Sequence, residues 1–187
     1  MRTLYQSLQA KMNTNVVDVK LFCGLLYRDM NILHEATNQM VRAFGPIDHE
    51  SDIFPFDHTE YYKSEMGDGL IRKFISFEEM VPPNKLSAVK CKTIDIEKKL
   101  SDQVEEDYNR TINIDPGYLE LGKLILASTK NYSHRIYLDK GIYAEITLQY
   151  ENKKFKFLRW TYPDYYDPTA LAFFEQVRNI YKQQIRK

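Results

Sequence analysis

Cysteine is scarce in this chain: Cys23 and Cys91 are the only two in 187 residues. A secreted disulfide framework uses more. The pair therefore reads as two reduced thiols in a cytoplasmic protein, with Cys23 inside a buried strand. Long apolar runs are also missing. Nothing approaches the ~20 residues that a membrane helix needs, so no membrane partner is expected. Residues 1–15 contain Arg2 and Lys11 but no apolar h-region, and no signal peptide is expected. Net charge is absent too, because Lys+Arg and Asp+Glu each total 26. This excludes coating of nucleic acid or anionic membrane by bulk charge. Glycine numbers 7 and forms no phosphate loop. Gly67-Asp68-Gly69 lacks the third glycine and the strand-turn-helix setting of a dinucleotide fingerprint. No C-x-x-C, H-E-x-x-H or G-x-S-x-G occurs.

What the chain does have is tyrosine: 14, beside 10 Phe and one Trp. With 43% hydrophobic and 28% charged residues it has the composition of an ordinary globule. We read residues 1–18 as an N-terminal extension and 19–187 as a single domain. Val19–Tyr27 is a mostly apolar run that suits a buried strand. Asp29 or Asn31 caps a helix carrying Ile32, Leu33, Ala36, Met40, Val41 and Phe44, which Gly45-Pro46 stops. Residues 47–54 are a candidate strand interrupted by Pro55. Residues 55–69 read as an ordered loop and Leu70–Phe77 as a strand. Pro82-Pro83 opens a helix with its body near Lys85–Leu100. Residues 101–110 read as a frayed helix end or linker.

Strands then dominate. They are Leu124–Ala127, His134–Leu138, Ile142–Tyr150 and Phe155–Trp160, with Asp139-Lys140-Gly141 as a three-residue hairpin turn. Asp167-Pro168 starts a last amphipathic helix along Leu171, Phe174, Val177, Tyr181 and Ile185. The order predicts an α+β fold, with a mostly antiparallel sheet and about three packed helices. A ferredoxin-like start is expected for residues 19–115.

Five segments stand out: Phe54–Gly67, Asn113–Leu119, Leu126–Lys130 with Ser133–Leu138, Gly141–Leu148, and Trp160–Tyr165. In this order they resemble the bacterial family known as domain of unknown function 4416, over roughly residues 19–180. The resemblance implies no activity, and it supplies no catalytic residue to carry over.

The residues themselves suggest chemistry. If the hairpin pairs Leu138 with Ile142, Tyr137 faces Tyr143 and Arg135 faces Glu145. That pair either stabilises the sheet or forms a pocket floor, with Arg135 gripping an anion and Glu145 orienting it. His134 then falls on the opposite face with Ile136 and Leu138, as a core histidine. Asp57, His58, Glu60 and Glu65, with Asp115, His134, Glu145 and Asp164, offer metal-ligand types, but no local spacing specifies a metal or a cofactor. Asp115-Pro116-Gly117 reads first as a type II turn. Ser128-Thr129-Lys130 after a strand can hold a phosphate, and with Arg72, Lys73 and Arg135 would make a basic patch. His49-Glu50-Ser51 fits the H-x-[ST] of two-histidine phosphoesterases, but the second copy is missing.

Charge is uneven along the chain. Residues 48–68 carry seven acids and one Lys, while 123–140 and 151–160 each carry four bases and one acid. Nine of the 14 tyrosines lie in or beside the five segments, which is where amphipathic rings at a binding surface would be. The expected function is binding of a phosphate-bearing small molecule or nucleotide in a polar, Tyr-lined pocket, with hydrolysis as a further expectation. His58 and Glu65 are the candidate acid/base groups. Tyr61, Arg72, Asp115, Lys130, Arg135, Glu145 and Asp164 are the candidate ligand-binding groups. The alternative is a non-catalytic RNA- or protein-binding module that uses the basic strands and aromatic rings.

Overall fold

A computed structural model describes residues 16–57, 62–104 and 107–186. Its strands are β1 (Val19–Tyr27), β2 (Ile47–Glu50), β3 (Phe54–Pro55), β4 (Ile71–Val81), β5 (Asp102–Val104), β6 (Asp107–Asn109), β7 (Ile112–Leu119), β8 (Lys123–Ser128), β9 (Ile136–Asp139), β10 (Ile142–Glu151) and β11 (Lys154–Phe157). Its long helices are α1 (Met30–Phe44), α2 (Leu86–Leu100) and α3 (Pro168–Gln184).

Helix boundaries follow local chemistry. The Asp29 carboxylate accepts the Asn31 N–H at the start of α1, and Asp167 does the same for Thr169 in α3, where Pro168 takes the first helical position. Gly45 ends α1 at φ 89°, returning its N–H to Val41 O.

Nine strands form one antiparallel sheet in the order β11-β10-β8-β7-β1-β4-β2, with β3 on β4 and β9 on β10. The first half, β1-α1-β2-β4-α2-β7, gives the order β7-β1-β4-β2, which is the split βαβ arrangement expected from the pattern. β1 is buried along its whole length because both faces of the sheet are covered. Leu21, Cys23, Leu25 and Tyr27 pack with Leu33, Ala36 and Met40 of α1 and with Val89 and Ile96 of α2. Phe22 and Phe74 face the other way, onto Phe173, Phe174 and Val177 of α3. The fold is therefore α+β in three layers.

Several boundaries differ from the expectation. Residues 102–104 and 107–109 are not a frayed helix end; they pair with each other as β5 and β6. Asp115-Pro116-Gly117 is not a turn, since it lies in β7 opposite Gly24, Cys23 and Phe22. The β9–β10 connection has two residues, Lys140 and Gly141, both at positive φ as a type I′ turn requires. A bulge after Ile142 restores the expected Tyr137–Tyr143 pairing. β11 stops at Phe157, short of Trp160. The helical turn Lys63–Met66 breaks the expected 55–69 loop. No helix among the described residues is long and apolar enough to cross a membrane.

Candidate functional site

The site begins with a fork in the sheet. β7 and β8 pair only from Gly117–Leu126 to Leu119–Leu124. A Cβ on Gly117 would overlap the Ile125 carbonyl and the Phe22 ring, so this junction requires glycine. Beyond it the two strands part. Along a strand, a residue's N–H and C=O point to one edge, and alternate residues share that edge. The Ile114 N–H donates to Glu97 Oε1 at 2.7 Å, and the Ile114 carbonyl accepts from Lys90 Nζ at 2.7 Å. Two side chains of α2 thus satisfy the backbone that β8 has left. Pro116 is two residues on and faces the same edge, where it has no N–H to leave unpaired.

The fork opens into a cavity of about 1070 Å³, bounded by β7, the end of β8, α2, Tyr62 and the Tyr162–Tyr165 turn. Its floor is a chain of alternating charge. Arg72, from β4, lies across Gly24 of β1, where a Cβ would stand 3.0 Å from its guanidinium. Arg72 Nε is 2.8 Å from Asp164 Oδ2, and Nη1 is 3.4 Å from Asp115 Oδ2. Asp115 also accepts the Asn113 amide at 2.6 Å and lies 3.6 Å from Lys90, which is 3.9 Å from Glu97. The Phe74 and Tyr165 rings lie 5.0 and 5.4 Å from the Arg72 guanidinium.

Burial opposes the charge on Arg72, but Asp164, Tyr165 and Asp115 outweigh it and push its pKa up. Burial also opposes the charge on Asp115, but Lys90, Arg72 and the Asn113 amide outweigh it and hold the carboxyl below its usual range. Glu97 goes the other way. Burial raises its proton affinity, and Lys90 with the Ile114 N–H offsets this only in part.

A second network closes the β8 end. Arg135 Nε donates to Glu145 at 2.6 Å, Nη1 donates to Ser128 Oγ at 2.7 Å and to the Lys130 carbonyl at 3.0 Å, and Nη2 donates to the Tyr162 hydroxyl at 3.2 Å. Its guanidinium also lies 4.6 Å from the Tyr132 ring. The expected Arg135–Glu145 pair is therefore present, buried on both sides. His134 is not the core residue expected. It sits in the turn before β9, where strand alternation does not apply, and its Nε2 lies 3.1 Å from Glu145 while its ring stacks on Trp160. Ile136 and Leu138, its expected core companions, are exposed.

Six of the nine candidate catalytic and ligand-binding residues line this one cavity, Glu65, Arg72, Asp115, Lys130, Arg135 and Asp164, and Ser128 and Thr129 line it with them. Glu145 is buried behind Arg135. His58 and Tyr61 lie outside the described residues. Lys73 is turned away and pairs with Glu50. Sequence reading missed Lys90, Glu97, Arg110 and the Lys98-Lys99 pair on the cavity wall. A signal for two of them existed: Lys90, Thr93 and Glu97 fall at helical spacing on a buried face of α2, where apolar residues are the rule. Among the described residues no group of three or more His, Cys, Asp and Glu can hold a metal ion. The buried Tyr165 hydroxyl finds no hydrogen-bond partner among the described residues.

No curated protein and no solved structure matches this chain. The model of one family, the domain of unknown function 4416, matches residues 17–181, a span running from just before β1 into α3 and taking in every described wall of the cavity. The chain belongs to that family.

Proposed function

We propose that the cavity binds a phosphate-bearing small molecule or nucleotide. The observation that carries this reading is convergence. Residues from β4, α2, β7, β8 and the Tyr162–Tyr165 turn meet at one cavity in which basic side chains outnumber acidic ones. Its volume of about 1070 Å³ suits a ligand of nucleotide size. Tyr62, Tyr132, Tyr162 and Tyr165 make the wall amphipathic. A cytoplasmic setting belongs to the same reading, and the free thiols of Cys23 and Cys91 are compatible with it. Hydrolysis is its finer part. Glu65 lies on the wall beside Arg110, and Glu97 is the lining carboxylate whose proton affinity burial raises.

Thermal shift at fixed ionic strength, with nucleotides and sugar phosphates set against a potassium chloride control, tests the reading. A rise in Tm that weakens with added salt is expected. A flat response across the panel overturns it. RNA binding is the alternative. It draws support from the exposed Phe157 ring, 4.6 Å from the Tyr166 ring and next to Lys156 on the edge strand β11. Salt-sensitive RNA binding abolished by Phe157→Ala, with no small-molecule response, would favour it.

A further inference from the structure

The cations that line the cavity are not equivalent. Arg135 has four donor contacts to protein oxygens, and its side chain is 1% exposed. Arg72 lies between two carboxylates at 3% side-chain exposure. Lys90 has the Ile114 carbonyl, Asp115 and Glu97 around it. An anion reaching any of these would have to displace buried, well-placed partners.

Arg110 differs. Its side chain is 35% exposed, its guanidinium lies 3.6 Å from Glu65, whose side chain is 44% exposed, and among the described residues its close hydrogen bond is to Asn113 at 3.0 Å. Lys98 and Lys99, on the last turn of α2, are exposed and line the same cavity. Such cations keep their hydration and donors for an incoming oxyanion.

Two of the lining rings, Tyr132 and Tyr162, contact Arg135, whereas Tyr62 stands within electrostatic reach of both Arg110 and Tyr162. Tyr132 and Tyr162 line the cavity beside Arg135, at 47% and 39% exposure, which is high for rings on a cavity wall. Tyr165 follows Tyr162 by one turn and brings the buried hydroxyl without a described partner.

We infer that the cavity has two ends with different tasks: Lys98, Lys99 and Arg110 take the phosphate of the ligand, and Tyr132 and Tyr162 take an aromatic ring, so that the ligand class is a nucleotide rather than a sugar phosphate. Arg72 and Arg135 are positioning residues that hold the walls in place. The inference rests on the proposed function and sharpens it.

The test uses the full chain with three kinds of probe: nucleoside monophosphates of the four common bases, ribose 5-phosphate, and the free nucleosides. Affinities are measured by titration calorimetry for wild type, a Lys98→Ala/Lys99→Ala/Arg110→Ala variant, and a Tyr132→Leu/Tyr162→Leu variant. All five positions are at least partly exposed, and an unchanged Tm without ligand verifies folding. A set of milder single variants, Arg110→Gln and Tyr132→Leu, replaces any variant that fails it. At least one monophosphate should bind, and tighter than ribose 5-phosphate. The charge variant should lose tenfold or more on both kinds of phosphate compound. The ring variant should lose about tenfold on the nucleotide alone, the size of one stacked base. Phosphate compounds that bind wild type and the charge variant equally, or ribose 5-phosphate binding as well as every nucleotide, would overturn the two-ended site while leaving the proposed function standing. Failure of every phosphate compound to bind wild type overturns both.

Discussion

The floor of the cavity and its rim are built from the same kinds of charge in opposite states. On the floor, Arg72, Asp115, Asp164, Lys90 and Glu97 are buried or nearly so and touch one another in sequence. On the rim, Arg110 and Glu65 face each other at 3.6 Å with a third or more of each side chain in solvent. In the floor each charge is held by desolvated partners, so removing one strands another. In the rim, water and salt screen the pair, and little depends on it. Floor residues should therefore govern stability, and rim residues should govern what is bound.

The strongest way to break that comparison is Arg72→Leu. It leaves the Asp164 and Asp115 carboxylates without their shared guanidinium, at an expected cost of about 3–5 kcal/mol. Denaturant unfolding measures it. Adding Asp164→Asn to the same chain should give a total loss smaller than the two single losses summed, because one buried charge no longer lacks its partner. A loss under 1 kcal/mol from Arg72→Leu would place the floor in the same class as the rim.

Much of this arrangement was legible in the sequence. The strand Val19–Tyr27 has the bounds read from its apolar run, because a strand buried on both faces is written as a continuous hydrophobic stretch. The Arg135–Glu145 pair followed from hairpin arithmetic, although a two-residue turn plus a bulge delivers it rather than the expected three-residue turn. Asp115-Pro116-Gly117 was misleading because local turn chemistry and a tertiary role use the same letters. Pro116 marks the edge where β8 departs, Gly117 is needed for close approach, and Asp115 is held by groups 25 and 43 residues away in sequence. Of the rim, only Glu65 was read from the sequence. Lys98, Lys99 and Arg110 look like any solvated charges until the fork brings α2 and β7 to one opening. Exposed charge carries no periodicity from which a site can be read.

The floor also holds an internal comparison that pH can sharpen. Asp115 and Glu97 both approach Lys90, yet their proton affinities move apart. Asp115 is lowered in the folded protein. Its contribution to stability is full above the unfolded value of about 3.9 and is lost as pH falls through the lower folded value. The stability gap between wild type and Asp115→Asn should thus be flat near neutrality and close below about pH 4. Glu97 is raised, so its contribution is present below the unfolded value of about 4.3 and lost as pH rises through the folded value. Wild type should lose stability relative to Glu97→Gln over that rise. Parallel curves for the two variants would mean that the carboxylates share one environment, contrary to their contacts.

The smallest effect on stability is expected at the rim. Glu65→Gln removes the carboxylate that stands 3.6 Å from the Arg110 guanidinium, while Glu97 remains within its wider field. An exposed pair at that distance contributes less than about 1 kcal/mol, which in a chain of this size moves Tm by only a few degrees. The variant should nonetheless bind phosphate compounds more tightly than wild type, because Arg110 no longer divides its field between Glu65 and the ligand. Calorimetric titration at low salt, repeated at high salt, measures both the gain and its screening. A Glu65→Gln protein that is much less stable would move this pair into the floor's class. One that is equally stable but has lost catalytic turnover of a bound phosphate ester would instead assign Glu65 the acid/base role expected from its sequence setting.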